Sequence, residues 1–61
     1  MAQLTQMELQ NLKHLIGDET LAAVKYNTYA QSCSDQQLKS HFQKAAMAAQ
    51  QNCQQLMQFL S

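Results

Sequence analysis

Apolar residues recur three and four positions apart along almost the whole chain, and the rhythm breaks once, at Ser32-Cys33-Ser34. Before the break the stripe runs Leu12, Leu15, Ile16, Glu19, Ala22, Ala23, Tyr26, Ala30 and Cys33. After it come Leu38, Phe42, Ala45, Ala49, Asn52 or Cys53, Leu56, and Phe59 or Leu60. Such steps return side chains to one face of an α-helix, whereas strands need alternation by two. The chain has no Pro, one Gly, twelve Gln and eight Ala, a composition that favours helix and disfavours strand. Gln-rich tracts can also mark disorder, but here Leu, Phe and Ala interrupt them at helical spacing.

Both helices carry a start signal. Thr5-Gln6-Met7-Glu8 is a capping box, with Leu4 and Leu9 placed as a hydrophobic staple around it. Ser34-Asp35-Gln36-Gln37 repeats the arrangement, with Ser34 expected as the N-cap and Cys33 and Leu38 as the staple. Asp35 sets negative charge where the helix dipole favours it and stands four residues before Lys39. The spacing predicts helix 1 over about 5–31, a turn at 32–34 and helix 2 over about 35–60, all within one domain. The stripe keeps its phase across Gly17, so helix 1 is expected to be continuous, with Gly17 the place for any local kink.

A connector this short makes the helices antiparallel neighbours. The fold class is therefore all-α, an antiparallel two-helix hairpin. Sixty-one residues bury too little surface to be secure alone, and a lone pair of helices leaves half of each stripe wet. Dimerisation into a four-helix bundle would cover it. The expected dimer core is Leu12, Leu15, Ile16, Glu19, Ala22, Ala23 and Tyr26 from helix 1, with Leu38, Phe42, Ala45, Ala49, Asn52 and Leu56 from helix 2. Met7, Leu21, Val24 and Met47 lie off the stripe, as isolated surface apolars or as a second contact surface.

Few groups suggest chemistry. Four Lys, no Arg and zero formal net charge give no footprint for nucleic acid or an anionic membrane. No run approaches the ~20 apolar residues of a membrane span, and Met1-Ala2-Gln3-Leu4 does not read as the start of a signal peptide. Cys33 and Cys53 fall too far apart on a hairpin for an intrachain bridge and read as small apolar thiols, with an interchain bond left open. Tyr26 and Tyr29 are expected as core or rim aromatics, and His14 as a surface residue. Glu19 is the most informative position. A carboxylate on an apolar face needs a hydrogen bond, a proton or a metal. Asn52 offers it an amide, while His41, at the stripe edge beside Phe42, is expected to be partly buried with a backbone or water partner. No nucleophile–base set, phosphate loop or zinc spacing occurs, so no enzyme and no cofactor is expected. The rival reading is a metal-binding protein in which Glu19 works with His41 of a partner chain.

One family resemblance spans roughly residues 12–60. The stretch from Leu15-Ile16-Gly17-Asp18-Glu19-Thr20 through Lys25-Tyr26-Asn27-Thr28-Tyr29-Ala30, followed by Ser34-Asp35-Gln36-Gln37-Leu38-Lys39 through Phe42, resembles the ferritin-like spore coat proteins of the coat F type. The resemblance implies a ferritin-like four-helix core and an endospore-forming source such as a clostridium or bacillus. It also implies a metal site built from Glu and Glu-x-x-His positions. Glu19 matches the first-helix Glu. The second helix departs, with Ala49-Gln50-Gln51-Asn52 where Glu-x-x-His would stand, so the site looks degenerate. The expectation is then a self-associating structural protein, a homodimer with other coat proteins as further partners, cytoplasmic or in the spore coat. A hetero-partner that brings the missing Glu-x-x-His helix is a third reading.

Overall fold

The computed structural model describes residues 3–60; Met1 and Ala2 of the amino-terminal reading, and Ser61, lie outside the described residues. Two helices, α1 (Gln6–Gln31) and α2 (Gln36–Met57), pack together as an antiparallel hairpin, and α2 ends in a 3₁₀ turn, Gln58–Leu60. No strand occurs among the described residues.

The start of α1 is the expected capping box. The Glu8 N–H donates to Thr5 Oγ1 at 3.1 Å, and the Thr5 N–H donates to Glu8 Oε1 at 2.9 Å. Two orphan donors of the first turn are thus satisfied reciprocally. The start of α2 differs from expectation by one residue. Asp35, not Ser34, is the N-cap, and its carboxylate accepts the Leu38 N–H at 2.8 Å. An ionised acceptor makes the stronger cap and favours the positive end of the helix dipole, which decides between adjacent cap residues.

Helix α1 runs through Gly17 unbroken, and among the described residues none adopts positive φ. Its C-terminus has no Gly to reverse it. Ser32 does the capping instead, its N–H bonding Thr28 O at 3.3 Å and its hydroxyl donating to Tyr29 O at 3.2 Å. The last turn of α2 tightens to 3₁₀ rather than staying α-helical to residue 60. Gln58 is the C-cap, its N–H bonding Gln55 O and Leu56 O, and i→i+3 bonds of this kind satisfy carbonyls at a helix end.

The seam between the helices has a stricter rhythm than a generic helical stripe. The seam runs through Leu9, Leu12, Ile16, Glu19, Ala23, Tyr26 and Ala30 on α1 and Lys39, Phe42, Ala46, Ala49, Cys53 and Leu56 on α2, all buried or half-buried, with Ala22 and Ala45 half-buried beside it. Alternating steps of three and four are a heptad, the period that keeps two helices in continuous contact along a left-handed supercoil. The fully buried members among the described residues are all alanines: Ala23, Ala30, Ala46 and Ala49. Small side chains let the backbones approach, but they remove little apolar area from water. Toward the connector Phe42 stacks on Tyr26 (centroids 6.5 Å apart) and tilts against Tyr29 (5.6 Å).

The result is a single layer. Its extents are 46 × 16 × 12 Å, and the thinnest dimension is about one helix diameter (~10–12 Å). A compact chain of 6.9 kDa would expose about 4,000 Å², whereas this hairpin exposes 4956 Å². Stable domains bury their elements between two layers, and this chain alone supplies one.

Candidate functional site

The residues beside the heptad seam differ sharply between the two faces of the hairpin. One flank carries Leu15, Ala22 and Tyr29 on α1, seven apart, facing Leu38, Ala45, Asn52 and Phe59 on α2, also seven apart. The other flank carries Lys13, Thr20 and Asn27 opposite Gln43, Gln50 and Met57, with Val24 open beside Thr20 and Asn27. Two apolar positions per heptad suffice for a two-helix seam. A third on the same side is the pattern of a helix that also faces a bundle. Here the third position is left in the open: Leu15 is 44% exposed, Leu38 46%, Tyr29 47% and Phe59 56%.

This apolar face has three zones. At the open end Leu4, Leu12, Leu15, Leu56 and Phe59 line a shallow, largely apolar depression that Glu8 and Asn11 also border. In the middle Glu19 and Ala22 lie across from Ala45, Ala48 and Asn52. Toward the connector sit Tyr26, Tyr29 and Phe42. Glu19 and Asn52 border the same two depressions and so stand at one level on adjacent helices.

The expected core residues divide accordingly. Ala23 and Ala49 are consumed in the chain's own seam. Leu12, Ile16, Glu19, Ala22, Tyr26, Phe42, Ala45 and Leu56 are half-buried, while Leu15, Leu38 and Asn52 are exposed. Among the described residues no hydrogen bond joins Glu19 to Asn52, and Glu19 has no polar partner within the chain. The hydrogen-bonded core carboxylate expected from the sequence is therefore absent from the single hairpin, because the face that holds Glu19 is uncovered. His41 is exposed rather than partly buried, since it precedes the seam residue Phe42 and projects outward.

The expected stripe names Ala45, which is half-buried, but not its neighbour Ala46, which is buried in the seam, and the 4-3-4-3 spacing of Phe42, Ala46, Ala49, Cys53 and Leu56 is the signal that identifies it. Thr20 approaches Cys53 across the polar flank, its Oγ1 3.3 Å from Sγ. Both cysteines are free thiols.

Among the described residues no three His, Cys, Asp or Glu side chains gather as a metal-holding group. No helix among them is long and apolar enough to cross a membrane. The Thr5 backbone N–H, aided by the Thr5 side chain, holds the Glu8 carboxyl below the ordinary 4.5. Comparison with family models, with curated proteins and with solved structures returns no match for this chain.

Proposed function

We propose that this chain is a non-enzymatic structural protein that works by self-association, with a pair of hairpins forming a four-helix bundle of ferritin-like type as its building unit. The observation that carries the reading is the uncovered apolar flank, Leu15, Ala22 and Tyr29 against Leu38, Ala45 and Phe59. The area agrees. The hairpin exposes roughly 1,000 Å² more than a compact chain of its mass, and a standard interface covers ~800 Å² of each partner. At about 25 cal/mol per Å² of apolar surface, covering this face is the largest stabilising term left to the chain.

The setting we propose is the coat of a bacterial endospore, with other coat proteins as further partners. Its support is the run Lys25-Tyr26-Asn27-Thr28-Tyr29-Ala30 with Leu38-Lys39 and Phe42. These residues flank the connector and include its aromatic cluster. Detection of the chain in extracted coat, or its absence there, tests the setting apart from the association.

The test of association is solution mass by sedimentation or light scattering at micromolar concentration. The expected species is twice 6.9 kDa or a multiple of it. Leu15→Asp, on the exposed flank, should return the protein to a single chain, while Asn27→Asp, on the polar flank, should leave the mass unchanged. A fully helical, stable 6.9 kDa monomer of the unsubstituted protein would overturn the reading.

A further inference from the structure

We infer that the second copy lies on the apolar face with its two-fold axis along the hairpin, so that Glu19 of each copy meets Asn52 of the other and both connectors lie at the same end. The inference rests on the self-association reading and adds what that reading leaves open, the orientation of the copies and the residues that fix it.

The starting observation is a polar pair in the wrong surroundings. Glu19 is half-buried among Leu15, Ala22 and Tyr26, and Asn52 lies across from it beside Ala48 and Leu56. Among the described residues neither has a hydrogen-bond partner within the chain. A covering layer would take both from water. A desolvated carboxylate without a donor is strongly unfavourable, and an amide without partners is also costly. The arrangement of the copies therefore has to give each group a partner.

Face-to-face packing of two hairpins allows two symmetric choices. With the two-fold axis perpendicular to the helices, α1 lies on α1 of the second copy. Centred at the Glu19 level, that axis sets carboxylate against carboxylate, and like charges at close range repel. Shifted along the hairpin, it sets Glu19 against apolar residues of the zones on either side. With the axis along the hairpin, α1 lies on α2 of the second copy at an unchanged level. Glu19 then meets Asn52 twice by symmetry, and each amide N–H₂ can donate to a carboxylate oxygen. Every helix also keeps antiparallel neighbours. The aromatic zone meets its own kind, and so does the zone of Leu12, Leu15, Leu56 and Phe59. A single polar pair in an apolar seam is a known way to fix register at some cost in stability.

The two arrangements separate by distance. Cys33 lies in the connector, and with Cys53→Ser it is the one site for a thiol-directed spin label. Copies with connectors together should place the two labels within about 25 Å, across two helix layers of ~10 Å each. The perpendicular arrangement centred at the Glu19 level places them about 40 Å apart, twice the ~21 Å rise from Glu19 to Cys33, and any separation well beyond about 25 Å overturns the inference while leaving self-association intact. Absence of any dipolar coupling, together with a 6.9 kDa mass, overturns both.

A charge exchange needs no cysteine change. Asn52→Asp should weaken dimerisation at least tenfold, and adding Glu19→Lys in the same chain should restore it, because each lysine then meets an aspartate of the other copy. In the perpendicular arrangement lysine meets lysine, so a double variant no tighter than Asn52→Asp alone overturns the inference.

Discussion

Thr20 and Cys53 tie the two helices together across the polar flank, with Oγ1 3.3 Å from Sγ. The Thr20 hydroxyl also donates to Ile16 O at 2.8 Å, and the Cys53 thiol reaches the same carbonyl at 3.9 Å. Thiols are weak donors, and the contribution belongs at the low end of the ~0.5–1.5 kcal/mol of a protein hydrogen bond. Thr20→Val keeps the shape and removes the hydroxyl. It should lower stability by about 0.5 kcal/mol in thermal unfolding followed by circular dichroism. Comparisons belong at one protein concentration, since assembly makes the midpoint depend on it. A variant as stable as the parent would show that the contact contributes nothing.

Adjacent residues on α2 should respond oppositely to change. Ala46 is 2% exposed in the seam, and Met47, its neighbour, is 59% exposed. Ala46→Leu inserts three heavy atoms where two helix backbones approach, and should cost about 1–3 kcal/mol or push the helices apart. Met47→Ala should change stability by less than about 0.5 kcal/mol. Chemical denaturation of the two variants side by side measures the contrast, and equal effects would mean that the heptad seam is misassigned.

Gly17 is helical, exposed, and has nothing within 4 Å of where a Cβ would sit. Alanine there meets no obstacle and loses less backbone entropy on folding. Gly17→Ala should therefore stabilise the protein by about 0.5–1 kcal/mol. A decrease in melting temperature would indicate that the folded protein uses the backbone freedom of Gly17.

How far the fold can be read from the residues depends on which signal carries each feature. The caps are local: Thr5 and Glu8 stand three apart, and their chemistry dictates the contact. The hairpin followed from Ser32-Cys33-Ser34 being too short for any other connection. Ser34 and Asp35 are both good caps, and the choice turned on the strength of an ionised acceptor, which residue type alone weighs poorly. Ala45 and Ala46 differ in degree, the first half-buried and the second buried. At 3.6 residues per turn either alanine fits a broad stripe, but only a 3.5 repeat keeps Ala46 facing α1 over the full length. The candidate surface was legible as composition and not as partition. The apolar set was visible, but which members serve the chain's own seam (Ala23 and Ala49) and which remain open (Leu15 and Leu38) required the packed pair. Glu19 stood out at once, yet its lack of a partner within the hairpin is a statement about three-dimensional neighbours.

Acid should loosen the start of α1 before it affects the rest of the hairpin. The Thr5 N–H donates to the Glu8 carboxylate and holds its titration below the ordinary 4.5. A carboxyl with a lowered folded value stabilises the folded state above its unfolded value, and that contribution is lost as pH falls through the folded one. The sign is therefore loss on acidification, in a window at and below 4.5. Protonated Glu8 no longer offers the Thr5 N–H an ionised acceptor, and it weakens the favourable charge at the helix N-terminus. Glu8→Gln keeps a capping-box partner without the charge. In the parent, amide exchange at Thr5 and Glu8 should accelerate between pH 6 and pH 3 once corrected for the intrinsic rate, whereas Glu8→Gln should show a faster but pH-independent corrected rate. Identical profiles for the two proteins would place the cause elsewhere than in this cap.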